Sequence, residues 1–349
     1  MSSHVVGIDI GSVSVRAVEL KNADKPNPVI VRFHEVPLPD GSVRRGEVLE
    51  VSTVATAIKG LWSTGGFKSR NIILGMGGPR VLSRDMVMPT APLAQIKEAL
   101  PFHVQEMLPV PVADALLDFY PITEGSGENG PVLNGLLIAV IKEAVVANIA
   151  AVSQAGLRTV QVDLTPFALA RALAPIRTST GLAAIVSIGA NSTNVVIVRD
   201  GVPQFVRIVA AGGDDITSVL SSQLQLSRAK AEEIKRDVGL GTASTLPEQR
   251  PAVAITQEVA GQLLISLRDT ISYYVNSRQG AELNRIILSG GGSRLTGLAG
   301  ALGQITAIPV VQAPALAGAQ LSASVKSRST PEQREAMTTA FGLALGTTV

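Results

Sequence analysis

Four short segments, three glycine-bearing turns and one Glu/Lys helical pair, carry groups that can hold a phosphorylated ligand. The first is Gly7-Ile8-Asp9-Ile10-Gly11-Ser12-Val13-Ser14. Asp9 closes an apolar run, where a carboxylate is costly without a partner. Gly11 permits a tight turn at positive φ. The N–H groups of that turn and the hydroxyls of Ser12 and Ser14 can cradle phosphate oxygens. Asp9 can hold a hydrated Mg²⁺, an ion that takes oxygen ligands and keeps several waters. An ordinary Asp-Gly hairpin would use the same residues.

The second segment is Ser187-Ile188-Gly189-Ala190-Asn191-Ser192-Thr193-Asn194. Gly189 and the polar turn of Asn191 and Ser192 again suit phosphates. Ser187 stands where Asp9 stands in the first segment. A hydroxyl cannot carry the negative charge that orients a metal-bound nucleophile. The third is Leu288-Ser289-Gly290-Gly291-Gly292-Ser293-Arg294, a strand running through three glycines into a helix start. Gly290, Gly291 and Gly292 let backbone approach a flat ligand, and a helix N-terminus attracts anions. A flexible connection is the plainer reading. In the fourth, Glu232 and Lys235 lie three apart on one helical face. They either grip ribose hydroxyls or form a surface pair worth ~0.2–0.5 kcal/mol.

Alternating and periodic apolar residues supply the elements that would position these segments. Strands are expected at 5–11, 14–20 and 29–36, a helix at 51–62 and a strand at 71–75. An extended stretch at 84–89 precedes a helix over 93–108, which tolerates Pro101 only with a kink. Strands at 116–122 and 132–140 flank a polar loop at 124–130. A helix over 142–154, a strand at 159–164 and a helix opened by Pro166 follow. The opening pattern then returns with strands at 183–188, 194–199 and 202–209. Helices over 212–224, 227–237 and 253–275 come next, with a loop at 239–250. A strand at 285–288 and a helix over 331–345 close the chain. Val6–Ser12 overlays Ala184–Ala190, which suggests either two related α/β lobes around a cleft or two unrelated strand-turn-strand units.

Composition narrows the class. The 349 residues suggest about two domains. Hydrophobic residues make up 46% and charged residues 17%, so a long disordered chain is excluded. With 30 Lys+Arg against 28 Asp+Glu, 3% aromatics and no basic block, nucleic-acid binding is not supported. The absence of cysteine excludes disulfides and thiolate chemistry. His4, His34 and His103 lack metal-ligand spacing and read as ordinary surface or core residues. The most apolar stretch, 132–151, is interrupted by Lys142 and Glu143, short of the ~20 residues a span needs. The N-terminus lacks the features of a signal peptide. A cytoplasmic location is expected.

The order of the four segments, with Pro92-Leu93, Ile96–Ala99, Leu108-Pro109-Val110-Pro111, Leu117-Asp118-Phe119, Val162–Ala168 and Ala340–Gly346, resembles the PilM family of type IV pilus assembly machines, in the actin-like ATPase superfamily. The resemblance covers almost the whole chain. It implies an α/β fold of duplicated, ribonuclease H-like lobes around a nucleotide cleft, with an FtsA-type 1C subdomain. Subdomain 1A would hold 1–82, 165–182 and 335–349; 1C would hold 83–164; 2A would hold 183–223 and 284–330; 2B would hold 224–283. The implied ligand is ATP with Mg²⁺. Asp9, Gly11, Ser12 and Ser14 match the first phosphate motif, with Asp9 facing the metal through water. Gly189, Asn191 and Ser192 match the second. Gly212-Gly213-Asp214 resembles the turn into the nucleotide-facing helix. Glu232 and Lys235 match the ribose pair, and Gly290–Gly292 match the adenine loop. Ser187 departs from the family's usual aspartate, and no general base is assigned, so weak or absent hydrolysis is expected.

The implied partner is the cytoplasmic N-terminal segment of PilN, in a groove between 1A and 1C near 81–111. Contacts with pilus motor ATPases, self-association and recruitment to the inner membrane through the partner are further expectations. Two alternatives stand beside this. An FtsA-like division scaffold normally ends in a membrane-binding helix, and here the chain ends at Gly346-Thr347-Thr348-Val349. A small-molecule kinase needs a base to deprotonate its acceptor.

Overall fold

The computed structural model describes residues 4–346 apart from 24, 26, 129, 174–180, 242–245, 279, 315, 317 and 318. The chain ends at 1–3 and 347–349, and parts of the expected 165–182 and 239–250 segments, therefore lie outside the described residues.

The chain starts as three antiparallel strands, β1 (His4–Ile10), β2 (Ser14–Lys21) and β3 (Val29–Pro37). A small ladder of β4 (Val43–Arg44) and β5 (Glu47–Val48) precedes helix α1 (Val51–Gly65) and strand β6 (Asn71–Met76). On β1, Val6, Ile8 and Ile10 are buried. They pack with Val54, Ile58 and Leu61 of α1, as the strand's two-residue side-chain period requires. Strand β7 (Val81–Pro89), helix α2 (Leu93–His103) and the strands β8 (Ala115–Gly127) and β9 (Gly130–Ile141) follow. Helix α3 (Lys142–Gln154), strand β10 (Arg158–Leu164) and helix α4 (Thr165–Leu173) return the chain to the first lobe.

The second lobe repeats the first. Strands β11 (Leu182–Ile188), β12 (Thr193–Arg199) and β13 (Val202–Val209) are antiparallel. Helices α5 (Gly213–Gln223), α6 (Arg228–Val238) and α7 (Arg250–Asn276) lead to β14 (Leu283–Ser289), α8 (Leu298–Thr306) and β15 (Val310–Gln312). The chain closes with β16 (Gln320–Leu321), α9 (Ala323–Arg328), α10 (Pro331–Ala336) and α11 (Thr338–Ala344). The sheet orders are β10-β6-β1-β2-β3-β16 and β13-β12-β11-β14-β15. In both, an antiparallel trio is extended on its first strand by two parallel strands. The carboxyl ends of those parallel strands face the cleft, where open α/β sheets bind ligands.

Several expectations change. Much of the loop expected at 124–130 is strand: β8 runs to Gly127, which pairs with Gly130 of β9 in one long hairpin. Helix α2 stops at His103, two residues after Pro101, instead of reaching 108. The closing helix is two, α10 and α11, joined at Met337. Within the expected 83–164 segment, β7, β9 and β8 form a separate sheet while β10 pairs with β6 in the sheet of the first lobe. Likewise β16, expected in the second lobe, pairs with β3 of the first.

Gly7 shows why the C-terminal segment belongs to lobe 1. A Cβ there would lie 2.2 Å from the Ala340 carbonyl oxygen, so α11 seats directly on β1.

Candidate functional site

The two polar turns have the same local construction. In the first, the Gly11 N–H donates to the Ser14 carbonyl at 3.0 Å; in the second, the Gly189 N–H donates to the Ser192 carbonyl at 2.9 Å. The ladders set Asp9 opposite Arg16 and Ser187 opposite Asn194. Neither Gly11 nor Gly189 has positive φ, which corrects the reason expected for the first glycine. Close approach is what selects them: a Cβ on Gly189 would lie 2.9 Å from the Ser192 carbonyl oxygen.

Both turns open on one cleft of about 1230 Å³ between the lobes. Lobe 1 contributes Asp9, Gly11 and Ser12. Lobe 2 contributes Gly189, Asn191 and Ser192, then Gly213, Glu232 and Lys235, then Gly290, Gly291 and Gly292. Ser14 is the exception. It is buried beneath its turn, and its hydroxyl donates to Glu35 Oε1 at 2.6 Å. Its place is under the cleft wall, outside the lining.

That wall is a charged trio. Arg16 Nε donates to Glu35 Oε1 at 2.9 Å, and Arg16 Nη1 lies 3.8 Å from Asp9 Oδ2. Burial pushes the Asp9 carboxyl above its ordinary pKa; Arg16 pulls it back in part, and Glu35 pushes it further up. Asp9 therefore has only a distant cation to compensate its charge. Arg16 and Glu35 were not singled out from sequence. The signal available was register, since residues seven and twenty-six beyond Asp9 become neighbours only once three strands are aligned.

On lobe 2, α5 is tied to the second turn by its first residues. The Gly213 N–H donates to the Gly189 carbonyl at 2.9 Å and the Asp214 N–H to the Ala190 carbonyl at 2.8 Å. Asn191 Nδ2 donates to Asp214 Oδ2 at 3.0 Å. Helix α6 is capped by Ser227 and lies alongside. Its Glu232 and Lys235 pair at 2.5 Å, and Lys235 Nζ also donates to the Gly213 carbonyl at 3.0 Å and to Thr217 Oγ1 at 2.8 Å. Burial works against the Glu232 carboxylate, but bonds from Lys235, Thr217 and Arg236 outweigh it and lower its pKa.

The triglycine turn sits behind the second polar turn. Gly290 has φ 84°, and a Cβ there would lie 2.4 Å from the Ile188 carbonyl oxygen. It leads into a 3-10 turn at Gly291–Arg294, and α8 starts only at Leu298. The expected helix start at the glycines is therefore replaced by a tight turn.

Two arginines of lobe 2 reach carboxylates of lobe 1. Arg228 pairs with Asp40 at 3.3 Å while also bonding Asp214. Arg294 pairs with Glu335 at 2.8 Å. Neither pair has a sequence signature.

Among the described residues, no three His, Asp or Glu side chains gather as a metal cage. A cleft carboxylate without a close cation, Asp9, suits an ion carried mainly by water and a phosphorylated ligand, as Mg²⁺ is. One further atom fits that ion: the buried Asn194 Oδ1, which lacks a hydrogen-bond partner. Such an orphan costs about 1–3 kcal/mol. Among the described residues no helix is long and apolar enough to cross a membrane.

Comparison with known proteins identifies the fold and the family. The structure matches a PilM–PilN type IV pilus biogenesis complex with a TM-score of 0.83 and 26% identity, covering 98% of this chain and 97% of the other. It matches an archaeal actin homologue with a TM-score of 0.50 and 14% identity, covering 98% of each. The fold is thus actin-like. The cell division protein FtsA of Bacillus subtilis (strain 168) is 23% identical over 257 residues, 67% of this chain. The matched stretch spans 58% of that relative's length. The family described as type IV pilus assembly protein PilM matches residues 7–348, and the chain belongs to that family.

Proposed function

We propose that the cleft binds ATP with Mg²⁺ and that the chain acts as a nucleotide-stabilised scaffold of the type IV pilus inner-membrane assembly complex. The observation that carries the ligand is the pair of alike polar turns opening on one cleft from opposite lobes. Gly11 and Ser12 would meet phosphate oxygens from one side, and Gly189, Asn191 and Ser192 from the other. Glu232 and Lys235 would face the ribose, and Gly290–Gly292 the base. Asp9 would hold hydrated Mg²⁺, whose role is to neutralise phosphate charge. Ser14 supports this wall through Glu35.

Turnover would be slow. Of the other cleft carboxylates, Glu35 is held by Arg16, Asp40 and Asp214 by Arg228, Glu232 by Lys235 and Glu335 by Arg294, while hydrogen bonds from its own N–H and from Thr330 lower the pKa of Glu332. A carboxylate bound to an arginine or lysine is a poor proton acceptor. Position 187 offers only a hydroxyl. Measuring ATP turnover of the purified protein tests this; brisk hydrolysis lost in Asp9→Ala would refute it.

The proposed partner is the cytoplasmic N-terminal segment of PilN. The match to a PilM–PilN complex supports it. In this reading the protein is cytoplasmic, is recruited to the inner membrane through PilN, and links it to the pilus motor ATPases. The subdomains would follow the sheets, with 1C confined to the β7–β9 region. The FtsA match favours a second reading, a division scaffold. Titration with a PilN N-terminal peptide and with an FtsZ C-terminal peptide separates them: binding of the first alone supports the pilus reading, binding of the second alone overturns it.

A further inference from the structure

The two lobes treat equivalent positions differently. In lobe 1, Arg16 on the middle strand lies between Asp9 on β1 and Glu35 on β3, and it serves both carboxylates. In lobe 2, Asn194 takes the place of Arg16, between Ser187 on β11 and Ile208 on β13. An arginine is needed where two acids flank it. Where a serine and an isoleucine flank it, the amide is left without a polar cross-strand partner of comparable strength.

Asn194 is 7% exposed, Ser187 is 8% exposed, and both line the cleft. Asn194 Oδ1 is buried and accepts no hydrogen bond. Buried polar atoms are nearly always partnered, so an orphan oxygen at a ligand cleft calls for a donor. A polyphosphate offers almost only acceptors. A water held by a divalent cation is the reverse, because its lone pair faces the metal and its two O–H groups must donate.

We infer that the Asn194 side-chain oxygen is the lobe 2 acceptor for a water of the hydrated divalent cation that Asp9 holds from lobe 1. This rests on the nucleotide reading above. The amide supplies a neutral oxygen in the hairpin that lacks an acid at 187. Its role is positioning: it orients the ion's hydration shell without adding charge to a wall that already carries one poorly compensated carboxylate.

The test uses Mn²⁺ as the probe, titrated into protein saturated with ADP and followed by loss of the free-ion electron paramagnetic resonance signal. Asn194→Ala is expected to weaken Mn²⁺ binding about tenfold, the scale of lost outer-sphere contacts. ADP affinity measured without metal should stay unchanged. Asn194→Asp keeps the oxygen and adds charge, so it should bind Mn²⁺ more tightly than the wild type. Wild-type Mn²⁺ affinity in Asn194→Ala, or weaker binding in Asn194→Asp, overturns the inference while leaving the nucleotide reading intact. Wild-type protein that takes up no ADP overturns both. If Asn194→Ala does not fold, the direction of the Asn194→Asp effect decides.

Discussion

Arg228, the first residue of α6, spans the cleft to Asp40 at 3.3 Å while its other nitrogen bonds Asp214 beside the second polar turn. One side chain thus couples lobe 1 to the turn that would hold phosphate. The Asp40 side chain is 73% exposed, so its half of the pair is worth only ~0–1 kcal/mol and weakens with salt. Asp40→Ala should speed nucleotide release about two- to fivefold at low salt, and high salt should erase the difference. Arg228→Ala should do more, because it also removes the cation beside Asp214. Stopped-flow displacement of a fluorescent ATP analogue reads both rates. Equal rates in all three proteins would show that the pair does not latch the cleft.

The glycines at 290 and 291 separate folding from binding. A methyl at 290 meets the Ile188 carbonyl at 2.4 Å in a left-handed backbone, so something must shift. Gly290→Ala should cost about 2–4 kcal/mol and lower the midpoint of denaturation. A methyl at 291 meets nothing within 4 Å, and its φ is not positive. Gly291→Ala should keep wild-type stability and lose nucleotide affinity, because the methyl meets no protein atom and Gly291 lines the cleft proposed to hold the base. Chemical denaturation and calorimetry check the pair. Unchanged nucleotide affinity in Gly291→Ala would remove the triglycine turn from the binding site.

Asp9 should make metal binding sensitive to acid. Burial raises its pKa above 3.8, with Arg16 opposing and Glu35 reinforcing the shift. The native state therefore holds this proton more tightly than the unfolded chain does. The penalty of the ionised carboxylate sets in as pH rises through the unfolded pKa, and it is complete above the folded one. At neutral pH, Asp9→Asn should raise the melting temperature of the ligand-free protein by about 1–3 °C and abolish Mg²⁺-dependent tightening of nucleotide binding. In the wild type, that tightening should fade as pH drops toward the raised pKa. A melting temperature lowered by Asp9→Asn would contradict the assigned cost.

The repeat of turn-forming residues at Gly11 and Gly189 was legible because a hairpin is local: its strands, turn and period lie within about fifteen residues. The same locality made the strands, α1 and α3 readable. Pairing beyond the hairpin was not. Nothing in the alternation of β10 or β16 says which sheet receives them, and both pair into the sheet of β1, β2 and β3. Ser14 shows the limit at the site itself. Its hydroxyl chemistry is apparent from sequence, but its direction depends on β3 bringing Glu35 beneath the turn. Asn194 lies in the second polar segment but has no role legible there, since only burial distinguishes an orphaned amide from an exposed one.

Restoring an acid at 187 tests the slow-turnover reading from the opposite side. Position 187 is 8% exposed and pairs with Asn194 on one side and Ser289 on the other, neither of which carries charge. A carboxylate placed there is desolvated without a cationic partner on its neighbouring strands, so its folded pKa should rise. At pH 7, Ser187→Asp should lose about 1–3 kcal/mol of stability in the ligand-free state. The loss should vanish in acid, below the unfolded carboxylate pKa, where both states are protonated. Mg²⁺ with ADP should recover more stability in the variant than in the wild type, because the cation supplies the missing compensation. ATP turnover should then rise, since a charged oxygen would face a metal-bound water from lobe 2. Melting curves across pH, with and without Mg²⁺ and ADP, and a phosphate-release assay measure these effects. A variant that gains metal-dependent stability but no turnover would place the missing catalytic group elsewhere than position 187.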